Sequence, residues 1–248
     1  MKVLIILIIL ILYFVFKIYY KYKNKIISPN DFDIIYNPSG YYGFYLLGIC
    51  HYIKNNFDIS NKKTVGISAG AWISLFMNLN KTDANLCIKH IFTKIHYTYP
   101  IHKLPKLIEE TLYTVIHDKP IDISNINVMV SNMSDFKLEI HNNFLSLDEL
   151  FRCCMASSFI PLITYKDIIY FYKHKLALDG MLLKKVYLKK VDPNKTLVIK
   201  FDMFGRVKKN KIYKSIIKPG RSLYELYILG YHDAQKNHSY LQKYFTKK

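Results

Sequence analysis

Two stretches of this sequence carry residues whose types and spacing could do chemistry. Gly66-Ile67-Ser68-Ala69-Gly70 is a G-x-S-x-G pattern. A serine hydroxyl becomes a useful nucleophile when it projects from a tight strand-to-helix turn. Glycines two residues to either side then let strand and helix pass without side-chain collision. The flanks suit that turn, since TVGIS is strand-like and AWISLFMNL is helix-like. The N–H groups opening the helix would also favour negative charge building near Ser68. The same letters could instead mark a small-residue turn that packs a helix on a sheet. The second stretch is Ser39-Gly40-Tyr41-Tyr42-Gly43. A loop between a strand and its helix can aim several backbone N–H groups, here those of Gly40, Tyr41 and Gly43, at one developing oxyanion. A phosphate cradle is the rival, but the stretch is neither G-x-x-x-x-G-K-[ST] nor a complete G-x-G-x-x-G, because Pro38 occupies the first glycine position. A plain tight turn is the default for this loop taken alone.

Other reactive residues fit known sites less well. His232 and His238 follow Asp179 in the chain, giving the Ser…Asp…His order of a hydrolase triad, yet both fall in a polar helical stretch where a solvated role is commoner. There is no H-E-x-x-H, and His90 and His96 are six residues apart, the wrong spacing for one helical face. No metal and no cofactor is implied. Leu176-Ala177-Leu178-Asp179-Gly180 reads on its own as a strand entering an Asp-Gly turn.

The elements that must position these residues are legible from periodicity. Strand-like runs fall at 32–36, 64–67, 126–131, 136–140, 168–172, 176–178 and 196–201. Helical spacing covers 43–56, 69–78, 84–97, 104–116, 147–155 and 222–244. In the first helix Tyr45, Leu46, Ile49, Tyr52 and Ile53 share a face. Short apolar strands alternating with helices predict an α/β fold of three layers with a mostly parallel central sheet. In such folds sites form at the carboxyl ends of the strands, where Ser68 lies.

The chain has 248 residues, 51% of them apolar, enough for one anchor segment and one compact domain. We read residues 1–23 as a membrane anchor, 24–31 as a polar linker and 32–248 as the domain. Val3 to Phe16 is an unbroken apolar run, and Lys17 can snorkel, which extends the usable stretch to Tyr20, roughly 27 Å at helical rise. The flank KIYYKYKNK offers no small residues for cleavage and supplies interfacial aromatics, which favours a retained single-pass anchor over a signal peptide. Lys17, Lys21, Lys23 and Lys25 follow the run, so the positive-inside tendency places the domain in the cytosol. The formal charge is +18, but only Arg152, Arg206 and Arg221 are arginines. That scarcity of the bidentate donor argues against nucleic acid as a partner, whereas lysines suffice to attract an anionic membrane. Cys50, Cys87, Cys153 and Cys154 make no C-x-x-C pair and read as buried, reduced thiols.

Taken in order, SGYYGFYLLG and then GISAG resemble the opening of the patatin-like phospholipase family, in particular its animal branch, with Gly40 and Ser68 separated by 28 residues. Ala156-Ser157-Ser158-Phe159-Ile160-Pro161 is similar to the family's Ala-Ser-x-x-x-Pro segment. Asp179-Gly180, 111 residues beyond Ser68, matches its second catalytic motif. Leu226 to Ala234 is similar to its closing helix. The sequence departs from the family at Pro38, at Tyr42, where plant and bacterial members have Arg, and at Met181, where a second glycine is usual. The resemblance implies a patatin-like α/β/α domain and a Ser68–Asp179 dyad with Gly40, Tyr41 and Gly43 around the oxyanion. It also implies a membrane lipid, phospholipid or acylglycerol, as substrate. The alternatives are an inactive, membrane-tethered lipid-binding or scaffold protein and a Ser-His-Asp esterase.

Overall fold

The computed structural model describes residues 31–95, 99–184, 191–207 and 220–247. Its centre is a sheet whose order is β6-β7-β4-β3-β1-β8, with β5 on the second edge of β4. The strands are β1 (Ile34–Tyr36), β3 (Thr64–Ile67), β4 (Ile126–Asn132), β5 (Lys137–His141), β6 (Phe171–Tyr172), β7 (Lys175–Asp179) and β8 (Leu197–Ile199). A separate antiparallel pair joins β2 (Phe57–Asp58) to β9 (Thr246–Lys247). β4, β3, β1 and β8 are mutually parallel, with Ile34 opposite both Thr64 and Leu197, and Thr64 opposite Ile126. β1, β3 and β4 are buried at every residue, as strands covered on both faces must be. β5 and β7 run antiparallel to β4. The fold is therefore mixed α/β with a mostly parallel central sheet, as the sequence predicts.

The register of β4 decides where the site lies. β5 pairs with Val128 through Asn132 along one edge. The other edge is shared. β3 uses it as far as Ile67 opposite Met129, and β7 takes over at once with Asp179 opposite Val130. β3 runs along β4 and β7 runs against it, so the two meet head to head in one lane. Ser68 follows β3, and Asp179 ends β7. Residues 111 positions apart in the chain thus adjoin because two strands stop at the same place.

Side chains alternate across the pleat and separate two cores. Ile34, Tyr36, Val128 and Val130 belong to the large cluster shared with the helices, while Ile35, Val65, Ile67 and Met129 form a smaller one with Phe32. Val191, from the crossover between β7 and β8, packs on the smaller cluster. The helices are α1 (Gly43–Asn56), α2 (Ala69–Asn78), α3 (Lys81–Lys94), α4 (Leu104–Ile116), α5 (Leu147–Ser157), α6 (Leu223–Lys236) and α7 (His238–Leu241). α1 packs along α6 and against α2. Asn80, Ser146 and Ser222 cap α3, α5 and α6 by accepting from the backbone N–H three residues on, and Ser222 with Glu225 completes a capping box.

Several boundaries differ from those expected. α3 starts at Lys81 because Asn80 caps it. The C-terminal helix is interrupted at Asn237, whose N–H turns back to the carbonyls of Asp233 and Ala234. Of the run 168–172 only Phe171–Tyr172 is strand. Its hairpin with β7 closes tightly through Lys173 and His174, both at positive φ, and Ile168 and Ile169 are left exposed. The anchor at 1–23 and all but the last residue of the linker at 24–31 lie outside the described residues. Among the described residues no helix is long and apolar enough to cross a membrane. All four cysteines are free and buried.

Candidate active site

Ser68 sits between β3 and α2 at φ 56°, ψ −124°, a backbone region costly for any residue with a Cβ. Three contacts hold it there. Its N–H donates to Ser157 Oγ at 2.8 Å, its carbonyl accepts from Ala71 N–H at 2.8 Å, and its Oγ donates to Asp179 Oδ2 at 2.6 Å. The glycines around it are required by backbone contact. A Cβ on Gly66 would lie 2.3 Å from the carbonyl oxygen of Gly70, and one on Gly70 would lie 2.0 Å from that of Tyr36. The G-x-S-x-G spacing is thus what allows the start of α2 to cross β3 and the end of β1.

Asp179 is fixed on every side. Its N–H donates to Phe159 O at 2.8 Å, its carbonyl accepts from Ser131 Oγ at 2.9 Å, and its Oδ1 accepts from Met181 N–H at 2.8 Å. Burial raises its carboxyl from the ordinary 3.8 to about 6, against the opposing pulls of the Ser68 hydroxyl, the Met181 N–H and the charge of Lys184. Lys184 Nζ in turn donates to Asn37 Oδ1 at 3.4 Å. A carboxylate with that proton affinity, hydrogen-bonded to a serine hydroxyl, can act as a general base near neutrality. Gly180 follows at a close approach, since a Cβ there would lie 2.6 Å from Met129 O.

The loop at Gly40 only partly matches its expected role. Residues Gly40–Tyr42 form a single 3-10 turn, with Gly40 at φ 51°. Gly43 donates its N–H back to Gly40 O, so as the structure stands it is no oxyanion donor. Its role is steric, because a Cβ there would lie 2.9 Å from that of Ala69. The N–H groups of Gly40 and Tyr41 donate to no group among the described residues. The Tyr41 phenol turns away and donates to Tyr99 O at 2.5 Å.

Gly40, Gly43, Ser68 and Ala69 line the polar end of a cavity of about 800 Å³, counting its open mouth. Apart from Ser158 and Thr164, the rest of its wall is apolar. Phe44 and Leu47 come from α1, Trp72, Ile73 and Phe76 from α2, Cys87 and Ile91 from α3, and Leu104, Pro105, Ile108 and Leu112 from α4. The cavity is thus an apolar passage between four helices that opens on a hydroxyl.

Ser157 was not singled out by sequence reasoning as a site residue. Its Oγ donates to Met129 O at 2.6 Å while accepting from Ser68 N–H, and its carbonyl accepts from Gly180 N–H at 3.1 Å. It therefore ties the elbow, the end of β7 and β4 together. Ser158 Oγ accepts from Trp72 Nε1 at 3.0 Å, and Thr164 Oγ1 donates to Ser158 O at 2.6 Å. The sequence signal for Ser157 and Ser158 is their place in the Ala156–Pro161 stretch, and Thr164 lies beyond it.

The histidines of the rival triad are engaged elsewhere. His232 is exposed beside Gln235, and His238 pairs with the Tyr52 hydroxyl and stacks on Phe57. His90 lies on α3, and His96 is outside the described residues. Among the described residues no group of His, Cys, Asp and Glu could hold a metal ion. A scan against protein-family models and a search of curated proteins find no match to this sequence.

Proposed function

We propose that this chain is a lipid acyl hydrolase, a phospholipase A or neutral-lipid lipase, built as a divergent patatin-like α/β/α domain and working through Ser68 and Asp179. One observation carries the reading: a strained, buried serine donates its hydroxyl proton at 2.6 Å to a buried carboxylate raised to about 6. The apolar cavity that opens on it supports a fatty acyl ester as substrate. The N-terminal apolar run would tether the domain at the membrane, on the cytosolic side.

The chemistry follows from the contacts. Asp179 Oδ2 takes the proton as Ser68 Oγ attacks the ester carbonyl. The oxyanion that forms is held by the N–H groups of Gly40 and Tyr41 and by the first N–H groups of α2, each well-placed donor lowering the barrier by roughly 3–4 kcal/mol. The tetrahedral intermediate collapses, the ester C–O bond breaks, and Asp179 returns the proton to the leaving alcohol oxygen. Water then attacks the acyl-Ser68 ester with Asp179 again accepting a proton, and the released Ser68 oxygen recovers one. No histidine takes part.

The test is a fluorophosphonate probe with a short-chain ester assay on wild type, Ser68→Ala and Asp179→Ala. Covalent labelling of wild type at Ser68, with hydrolysis lost in both variants, is the expected result. Full activity in Asp179→Ala would refute the dyad, and an unlabelled wild type would leave a lipid-binding protein without turnover.

A further inference from the structure

The segment between Ser158 and β7 carries an exposed apolar set that the catalytic reading does not use. Leu162, Ile168, Ile169 and Phe171 are 45%, 67%, 57% and 65% exposed. We propose that residues 162–171 form a bilayer-docking face that sets the mouth of the acyl cavity on an anionic membrane surface. The proposal rests on the lipid-hydrolase reading and names where that enzyme meets its substrate phase.

Three observations carry it. The segment is held rigidly, so the exposure is built in. Thr164 N–H and Ile163 N–H both donate to Ile160 O, Leu162 N–H donates to Asp167 O, and Ala177 N–H to Tyr170 O. Beneath it Phe159 packs against Tyr165 and Tyr170. The segment is also continuous with the site, since Thr164 lines the cavity that reaches Ser68. A lipid leaving the bilayer at this face would have its acyl chain beside the cavity without crossing water. Finally, exposed cations lie beside it: Lys166 on the segment, Lys173 and His174 just beyond it, and Arg152, whose carbonyl accepts from the Tyr170 hydroxyl at 3.3 Å, with Asp167 and Glu149, the latter 2.8 Å from Lys173, as the acids among them, in a chain of formal charge +18. Apolar side chains rimmed by cations are what an anionic membrane interface binds.

The test uses the full chain in a Ser68→Ala background, so that binding is read without turnover. An environment-sensitive fluorophore is placed on Ile169→Cys, with Asp118→Cys, exposed and outside the segment, as comparison. The native thiols do not compete, because all four are buried and burial raises each of them. With phosphatidylcholine–phosphatidylserine vesicles the label at 169 should move to an apolar emission while that at 118 does not, and the response should weaken on pure phosphatidylcholine. In the Ser68 enzyme, serine at 162, 168, 169 and 171 together should lower hydrolysis of vesicle lipid by about tenfold or more and leave a soluble short-chain ester unaffected. A label at 169 that stays in water on vesicle-bound protein overturns the proposal. So does one already apolar before vesicles are added, which would mean that the chain's own N-terminal run or a second copy covers the face. An equal response at 118 also overturns it. Loss of short-ester hydrolysis on the fourfold substitution would show that the face supports the fold and also overturn the docking role, whereas absence of that hydrolysis in the protein with Ser68 and the native face would count against the catalytic reading alone.

Discussion

At the scale of single residues the site turns on one balance, the proton affinity of Asp179. Burial raises it, and the Ser68 hydroxyl, the Met181 N–H and Lys184 lower it, leaving a value of about 6. Only the ionised carboxylate can accept the serine proton. Hydrolysis of a soluble ester should therefore rise with pH as one group with a midpoint near 6 and then reach a plateau. Lys184→Met removes a positive charge that favours the carboxylate, so its midpoint should move upward. A pH–rate profile of both proteins checks the pair of expectations, and an unmoved midpoint in the variant would show that Lys184 does not act on Asp179. Ser68 is legible from its G-x-S-x-G pattern, whereas Asp179 reads on its own as part of an Asp-Gly turn and is singled out only by the resemblance to the patatin-like family. The tuning is not legible, since burial and the approach of Lys184 exist only after folding.

At the scale of elements, what matters is that β3 and β7 stop head to head against β4. Sequence periodicity locates β1, β3, β4, β5, β7 and β8 but not the short pair β2 and β9, and nothing in LALDG tells that β7 pairs antiparallel beyond the end of β3. Nor does the pattern of α5 tell that its last residue, Ser157, reaches between the two lanes. The Ser157 hydroxyl is a positioning group, satisfying the N–H of the strained Ser68 and the carbonyl of Met129 at once. Ser157→Ala leaves both buried groups unpaired, at a cost on the order of 1–3 kcal/mol. We expect a melting temperature lowered accordingly, kcat reduced about tenfold with KM held, and slower fluorophosphonate labelling, since Ser157 does not line the apolar cavity. Steady-state kinetics beside a thermal melt distinguish the roles. If kcat is unchanged while stability falls, Ser157 supports the fold alone. The expected strand at 168–172 shows the opposite limit of periodicity. The run is apolar because of what it presents to the outside, and pattern alone does not distinguish an exposed apolar face from a buried one.

For the whole molecule, an ionised carboxylate buried at the end of β7 carries a stability cost with a definite sign. Asp179 has a folded value near 6 against an ordinary 3.8. Between those values the native state holds a proton that the unfolded chain releases. Stability from this group is therefore greatest at low pH, falls as pH rises through that window, and is lower by about 3 kcal/mol above it. Asp179→Asn keeps the shape and a hydrogen-bonding partner for Ser68 while removing the buried charge. The variant should be inactive and yet melt higher than wild type at pH 7, by on the order of 5–10 °C for a domain of this size. The difference should vanish below pH 4, where the native carboxyl is already neutral. Thermal denaturation of the two proteins across pH 3.5 to 8 measures this directly. An Asn variant no more stable than wild type at neutral pH would mean that the fold solvates the carboxylate well enough to leave it a weak base, and the dyad would lose its physical footing. The expected crossing of the two properties, activity present where stability is sacrificed, would instead place the cost of the ionised group at the one position the reaction needs it.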